Sequence, residues 1–283
     1  MDSLSILWSE RLGIAPALTE AAVRGVTRFG TSRRYEAGDL PESTSAQHAR
    51  MHVVLNGWLA DQSVLKRGER HISDLALPGE VAGLAPFVLP HGPYEIETLT
   101  PARAISLSTF DLQNMTRRDP EAAWALRVVL TQARERQRLR FFRRIVTLGR
   151  LPGDQKICHL FCEIIARARP QEDELLVAEG LVAPPQGLES EVIVLPLSQR
   201  RLAELAGITP VHVNRVLGGL QKAHLVAILR GRIIVLDPEG LMARARFEPD
   251  YLDPAPFWPG ERNDTEAELA AAPSGQRPSL RVV

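Results

Sequence analysis

Between Ser198 and Ala223 the chain is confined to one local geometry, two short helices meeting at a sharp turn. Ser198 can cap a helix whose Leu202, Leu205 and Ala206 share an inward face, and Gly207 supplies the left-handed residue that ends it. The chain then restarts at once. Thr209 caps a second helix with Pro210 in its first position, where a missing N–H costs nothing. Val213, Val216, Leu217 and Leu220 recur at i, i+3, i+4 and i+7 and form one apolar stripe. Ala203 leaves room for the helices to cross, and Ile208 and Val213 fill the angle between them. The pattern is a helix-turn-helix. Gly218-Gly219 costs the second helix about 1 kcal/mol per glycine relative to alanine, and would suit close approach to a partner surface.

Downstream, the apolar runs Val226 to Leu229 and Arg232 to Leu236 flank Arg230-Gly231, which reads as a hairpin, or wing. Thr209, Val211, His212, Asn214, Arg215 and Lys222 are left facing outward on the second helix. Together with Ser198, Arg200 and Arg201 at the first helix, and Arg230 and Arg232 on the wing, they are the candidate contacts to double-stranded DNA. Val211, His212 and Arg215 are placed for base edges, Arg200 and Arg201 for phosphates. An αα-hairpin followed by a β-hairpin could satisfy the apolar pattern without touching DNA. The capped turn, basic outer face and wing together favour the DNA reading.

Charge supports this only through its distribution. The 283 residues carry 34 Lys and Arg against 34 Asp and Glu, so the whole chain is not a general polyanion binder. Yet Arg127 to Arg150 holds eight arginines against Glu135 alone, and Ser198 to Arg232 six basic residues against Glu204. Pro170 to Gln199 holds six acids and no Lys or Arg, and Pro170 to Glu191 within it reads as an acidic surface loop.

Towards the N-terminus, a helix near Leu18 to Gly25 precedes short apolar or alternating runs broken by turn residues. His52 to Leu59, His71 to Leu77, Glu95 to Leu99 and Ala104 to Leu107 are the expected strands of a sandwich or barrel. From Asp119-Pro120 no Gly or Pro follows until Gly149, which predicts one helix of about thirty residues. Leu126, Val129, Leu130 and Ala133 repeat along it at helical spacing, a stripe that continues through Phe141, Phe142, Ile145 and Leu148. Such a stripe is either core or a seam with a second copy, and the helix's length favours the seam. A further helix is expected at about Gln155 to Arg167, and a disordered tail at 253–283. The fold class is therefore α+β: a jelly-roll sensor over 1–118, a long dimerisation helix over 119–149, and a winged helix-turn-helix domain over 150–252.

ITPVHVNRVLGGLQKAHLV followed by LRGRIIVLD closely resembles the DNA-binding domain of the Crp/Fnr superfamily. YEAGDL, HVVLNGWLA and LALPGEVAGL resemble stretches of that family's cyclic-nucleotide-binding-type barrel, and FEPDYL resembles the end of many members. The resemblance spans roughly residues 15 to 252. It implies a transcriptional regulator acting as a homodimer on a palindromic operator, in contact with RNA polymerase if it activates. It also implies that Arg215 reads guanine. Pro210-Val211 stands where members often have Arg-Glu, so the operator should depart from the best-known sites.

Members that bind cyclic AMP grip it with a Gly-Glu pair and an Arg-Ser or Arg-Thr pair. Here those places hold Gly83-Leu84 and Gly92-Pro93-Tyr94, so no carboxylate or guanidinium is offered and cyclic AMP is not expected. The N-terminal cysteines of iron–sulfur members are missing. Cys158 and Cys162 are expected to be buried hydrophobes, with a redox pair as the alternative. His48, His52, His71 and His91 are read as structural rather than as haem or metal ligands. No cofactor is evident. No GxGxxG, P-loop, HExxH or GxSxG pattern occurs, so no catalytic residue is assigned. Neither a membrane span nor a signal peptide is expected, which places the protein in the cytoplasm. The runner-up function is a regulatory module that binds a small molecule in the barrel and acts by protein contact.

Overall fold

The computed structural model describes residues 3–41, 50–64, 68–84, 95–168, 193–229 and 232–252. Two helices open the chain, α1 (Ser3–Leu12) and α2 (Pro16–Phe29). Among the described residues seven strands follow: β1 (Thr31–Tyr35), β2 (Arg50–Asn56), β3 (Leu59–Val64), β4 (Arg70–Ala76), β5 (Val81–Ala82), β6 (Glu95–Thr98) and β7 (Ala102–Ser108). They form two antiparallel sheets of order β1-β7-β2-β5 and β4-β3-β6. Val54, Ala82 and Ala102 from the first sheet bury against Leu59, Ala76 and Ile96 from the second, which makes the sandwich.

The expected strand His52 to Leu59 is split into β2 and β3. Gly57 adopts φ +74°, and a Cβ there would lie 2.3 Å from the Pro101 carbonyl, so a glycine breaks the run. After β7 comes a helix that the sequence reading lacks, α3 (Thr109–Arg118). Ser108 and Asp111 form a capping box: Ser108 Oγ accepts from the Asp111 amide and Asp111 Oδ2 from the Ser108 amide.

Asp119 caps α4 (Pro120–Arg150), its carboxylate accepting from the Ala122 amide at 3.1 Å. The length agrees with expectation; the role of the apolar stripe does not. Leu126 and Val129 are fully buried in one core with Val23, Val26, Met51 and Met115, and Leu130 and Ala133 pack at its edge. The chain's own α2 packs on this face, covering Leu126 and Val129 fully and Leu130 and Ala133 in part. What α4 leaves uncovered is the opposite face, where Trp124, Phe142, Ile145 and Val146 are all more than half exposed.

The C-terminal half contains α5 (Gly153–Arg167), β8 (Ile193–Leu195), α6 (Gln199–Ala206), α7 (Pro210–Lys222), β9 (Val226–Leu229), β10 (Arg232–Val235) and α8 (Pro238–Ala245). The wing hairpin β9–β10 gains a third antiparallel strand, β8, in the order β8-β10-β9. The two halves share one core: Trp58, Ile72, Leu75 and Leu77 pack with Ile157, Phe161, Leu202, Leu217 and Ile233. Among the described residues no helix is long and apolar enough to cross a membrane. The 170–191 loop and the tail, apart from 249–252 before it, lie outside the described residues.

Candidate nucleic-acid interface

The local chemistry of the helix-turn-helix follows the sequence closely. Ser198 Oγ accepts from the Arg201 amide at 3.3 Å, Gly207 sits at φ +61°, and Thr209 Oγ1 accepts from the His212 amide at 3.2 Å. Val213, Val216, Leu217 and Leu220 are buried, which fixes the roll of α7 and turns its other face outward. On that face Val211 is 82% exposed, and Thr209, Asn214, Arg215 and Lys222 are exposed too. Ser198 and Arg200 are exposed on α6, Arg232 is half-buried in β10, and Arg230 lies outside the described residues.

Two expected contacts are placed otherwise. His212 is turned back towards α5: its Nε2 would lie 2.2 Å from a Cβ on Gly153, so the ring occupies the space that a side chain there would take. Arg215 Nη2 stands 3.2 Å from His212 Nδ1. A guanidinium only donates, so the imidazole accepts and braces the arginine rather than reaching outward itself. Arg201 is also engaged. It donates to Glu204 at 2.7 Å and to Glu97 of β6, a carboxylate that Arg70 also pairs at 3.0 Å. With 21% of its side chain exposed, Arg201 ties the helix-turn-helix to the sandwich, whereas Arg200 is 73% exposed beside Glu204. No close neighbour surrounds Gly218 or Gly219, and nothing in the structure explains them.

Behind this face lies a buried charge cluster that went unread in the sequence. Arg140 of α4 pairs with Asp74 of β4 at 2.7 Å. Arg167 of α5 pairs with Glu80 at 2.6 Å and with Glu163 at 3.3 Å, and donates to the Leu75 carbonyl. Arg144 reaches both Glu163 at 3.2 Å and the Ser73 carbonyl at 2.9 Å, while Tyr251 donates to Glu163 at 2.8 Å. Burial alone would raise the Asp74 and Glu80 carboxyls, but Arg140 and Arg167 outweigh it and hold both below their ordinary values. Asp61 is the exception. Desolvation and the nearby Asp74 charge push it up to about 7, against hydrogen bonds from the Gly83 amide and Gln137. The available signal was the excess of arginine on α4, eight against the two acids Glu121 and Glu135.

Cys158 and Cys162 are both buried, and burial pushes each thiol up to about 12, so both remain protonated within the core. His52 is buried with Nδ1 2.9 Å from Ser106 Oγ, and His71 is half-buried, its pKa lowered by burial and by Arg144. His48, His91 and Gly92 to Tyr94 lie outside the described residues. Among the described residues no three His, Cys, Asp or Glu side chains are grouped to hold a metal ion.

Comparison with known proteins agrees with this architecture. Residues 155–244 match the Crp-like helix-turn-helix domain. The nitrogen fixation regulation protein FixK of Bradyrhizobium diazoefficiens is 24% identical over 239 residues, which cover 82% of this chain and 89% of that protein. Among solved structures, FixK2 of Bradyrhizobium japonicum superposes with a TM-score of 0.54 at 19% identity, over 76% of this chain and 96% of that one. A CRP family transcriptional regulator from Thermus thermophilus gives 0.56 at 17% identity, over 76% and 97%. The first of these is named a regulation protein and the third a transcriptional regulator. Residues 155–244 thus match the Crp-like helix-turn-helix domain, within a chain whose α+β fold is similar to that of FixK2 and of the Thermus CRP family regulator.

Proposed function

We propose that the protein regulates transcription as a homodimer on a palindromic operator, with α7 entering the major groove. The observation that carries this is the outer face of α7: it is exposed, bears Val211, Asn214 and Arg215, and is held at a fixed roll by four buried apolar residues. Val211 suits a thymine methyl, and the Arg215 fork suits guanine O6 and N7. Ser198, Arg200, Lys222 and the wing arginines Arg230 and Arg232 would meet phosphates. The sandwich through residue 118 would serve as sensor, 119–149 as the dimerisation helix and 150–252 as the DNA-binding unit.

The dimer seam we assign to the uncovered face of α4. Trp124, Phe142 and Ile145 lie on it in one alternating four-and-three spacing with Val128, itself partly buried at the edge of the core, and with the polar Thr131, Glu135 and Arg138 between them. Two-fold symmetry would then put half-site centres about 10 base pairs apart, one turn of the duplex.

Arg215→Ala should cost about 1 to 3 kcal/mol on the preferred operator and relax the choice at one base pair per half-site. A binding series on single-base operator variants checks this. Full discrimination retained at every position would reduce Arg215 to a structural residue and remove the assignment of this face.

The Arg201–Glu97 contact carries a second expectation. Glu97→Gln should release Arg201 and tighten binding to all sequences alike, with a salt dependence steeper by about one counterion per added phosphate contact. Unchanged affinity and slope, measured by titration across salt concentrations, would show that Arg201 has no part in DNA binding.

A further inference from the structure

Arg215 is exposed, and a long side chain in water spreads over many rotamers. Among the described residues a single group holds it: His212 Nδ1, one turn earlier on α7 and 3.2 Å from the guanidinium. The imidazole is itself half-buried and anchored. Its backbone amide donates to Thr209 Oγ1, and its outer edge lies over Gly153, where Nε2 takes the space of a Cβ. Gly153 is the first residue of α5, three after α4 ends at Arg150. Beside it, Asp154 is pinned by Arg244 of α8 at 2.9 Å. The ring therefore stands between the α4–α5 joint and the arginine on α7.

We infer, resting on the assignment of Arg215 to a base, that His212 is the positioning residue which aims Arg215, and that the bare backbone at Gly153 is the seat which sets His212. A guanidinium that must meet guanine O6 and N7 together gains from having its plane fixed beforehand, because ordering it only on contact would subtract from the discrimination. The contact requires a neutral imidazole with its proton on Nε2, since a guanidinium has donors alone. A Cβ at position 153 would displace the ring. The imidazole is the free end of a side chain, so it can swing aside while both helices stay in place, and Arg215 then loses its brace. Base choice on α7 is in this way tied to a residue at the end of the long helix, outside the helix-turn-helix.

The test is a set of binding titrations on the duplex that the parent chain selects from a random-sequence pool, on its single-base variants and on unrelated duplex, across salt concentrations. His212→Ala should lower discrimination at the base pair read by Arg215 by at least about fivefold, the low end of what one bidentate contact is worth. Binding to unrelated duplex and its salt dependence should stay unchanged, because no phosphate contact is lost. Gly153→Ala, which lies outside α7, should reproduce the same selective loss. His212→Asn puts an amide oxygen where Nδ1 stands and should discriminate better than His212→Ala. Full discrimination in His212→Ala or Gly153→Ala, a uniform loss on every duplex, or no recovery in His212→Asn would each overturn the inference. Arg215→Ala, run in parallel, separates the two levels. If it keeps full discrimination, the base assignment fails and the role of His212 with it; if it loses discrimination while His212→Ala does not, only the role of His212 fails.

Discussion

Ile145→Asp should leave the chain folded but monomeric, and should lower its affinity for a palindromic site by at least about a hundredfold, since a lost partner removes a whole half-site of contacts. Ile145 is 68% exposed, so an aspartate there costs the isolated chain little. Across a two-fold seam the same side chain meets its symmetry mate, and two carboxylates forced together away from water cost several kcal/mol. Sedimentation velocity and DNA titration check the two consequences. Val129→Asp separates the dimer face from the core: Val129 is fully buried among α2 and sandwich residues, so its replacement should unfold the chain rather than split a dimer. If Ile145→Asp remained dimeric and bound DNA normally, the uncovered face of α4 would not be the seam.

Arg167→Met should destabilise the fold by about 3 to 5 kcal/mol, the cost of stranding buried carboxylates whose cation has been removed. Arg167 is the node of the cluster, paired with Glu80, Glu163 and, at 3.7 Å, Asp74. Urea unfolding at neutral pH measures the loss. Acid offers a second readout with a definite sign. In the native protein Asp74 and Glu80 are held below their ordinary values, so the stability they contribute is present at neutral pH and falls away as pH drops. Without Arg167 these carboxyls should titrate higher, and the acid-unfolding midpoint should move to higher pH. A variant as stable as the parent at neutral pH would mean that the cluster relaxes or hydrates.

The linkage between the halves has a mechanical implication. α5 is bound to the sandwich through Arg167 and Glu80, and α6 through Arg201 and Glu97, so the helix-turn-helix rests on the sandwich instead of hanging from α4 alone. Moving it requires both sets of ion pairs to open.

Ser198, Gly207, Thr209 and Pro210 determined the helix-turn-helix by themselves, because caps, left-handed turns and helix starts are local events decided within a few residues. Asp119-Pro120 fixed the start of α4 for the same reason. The strands were legible as runs, but the break at Gly57 depended on the approach of Pro101, some forty residues away in the chain. Tertiary structure alone decided which face of α4 is covered. Periodicity identifies a stripe such as Leu126, Val129, Leu130 and Ala133 but carries no information about its partner, and α2 reached it first. Long-range pairing likewise decided the fate of the charges. Nothing near Arg201 in sequence announces Glu97, nothing near Arg140 announces Asp74, and nothing near His212 announces Gly153. Local sequence turns Arg201 and His212 outward, and in the folded chain each has a long-range neighbour that local sequence does not show.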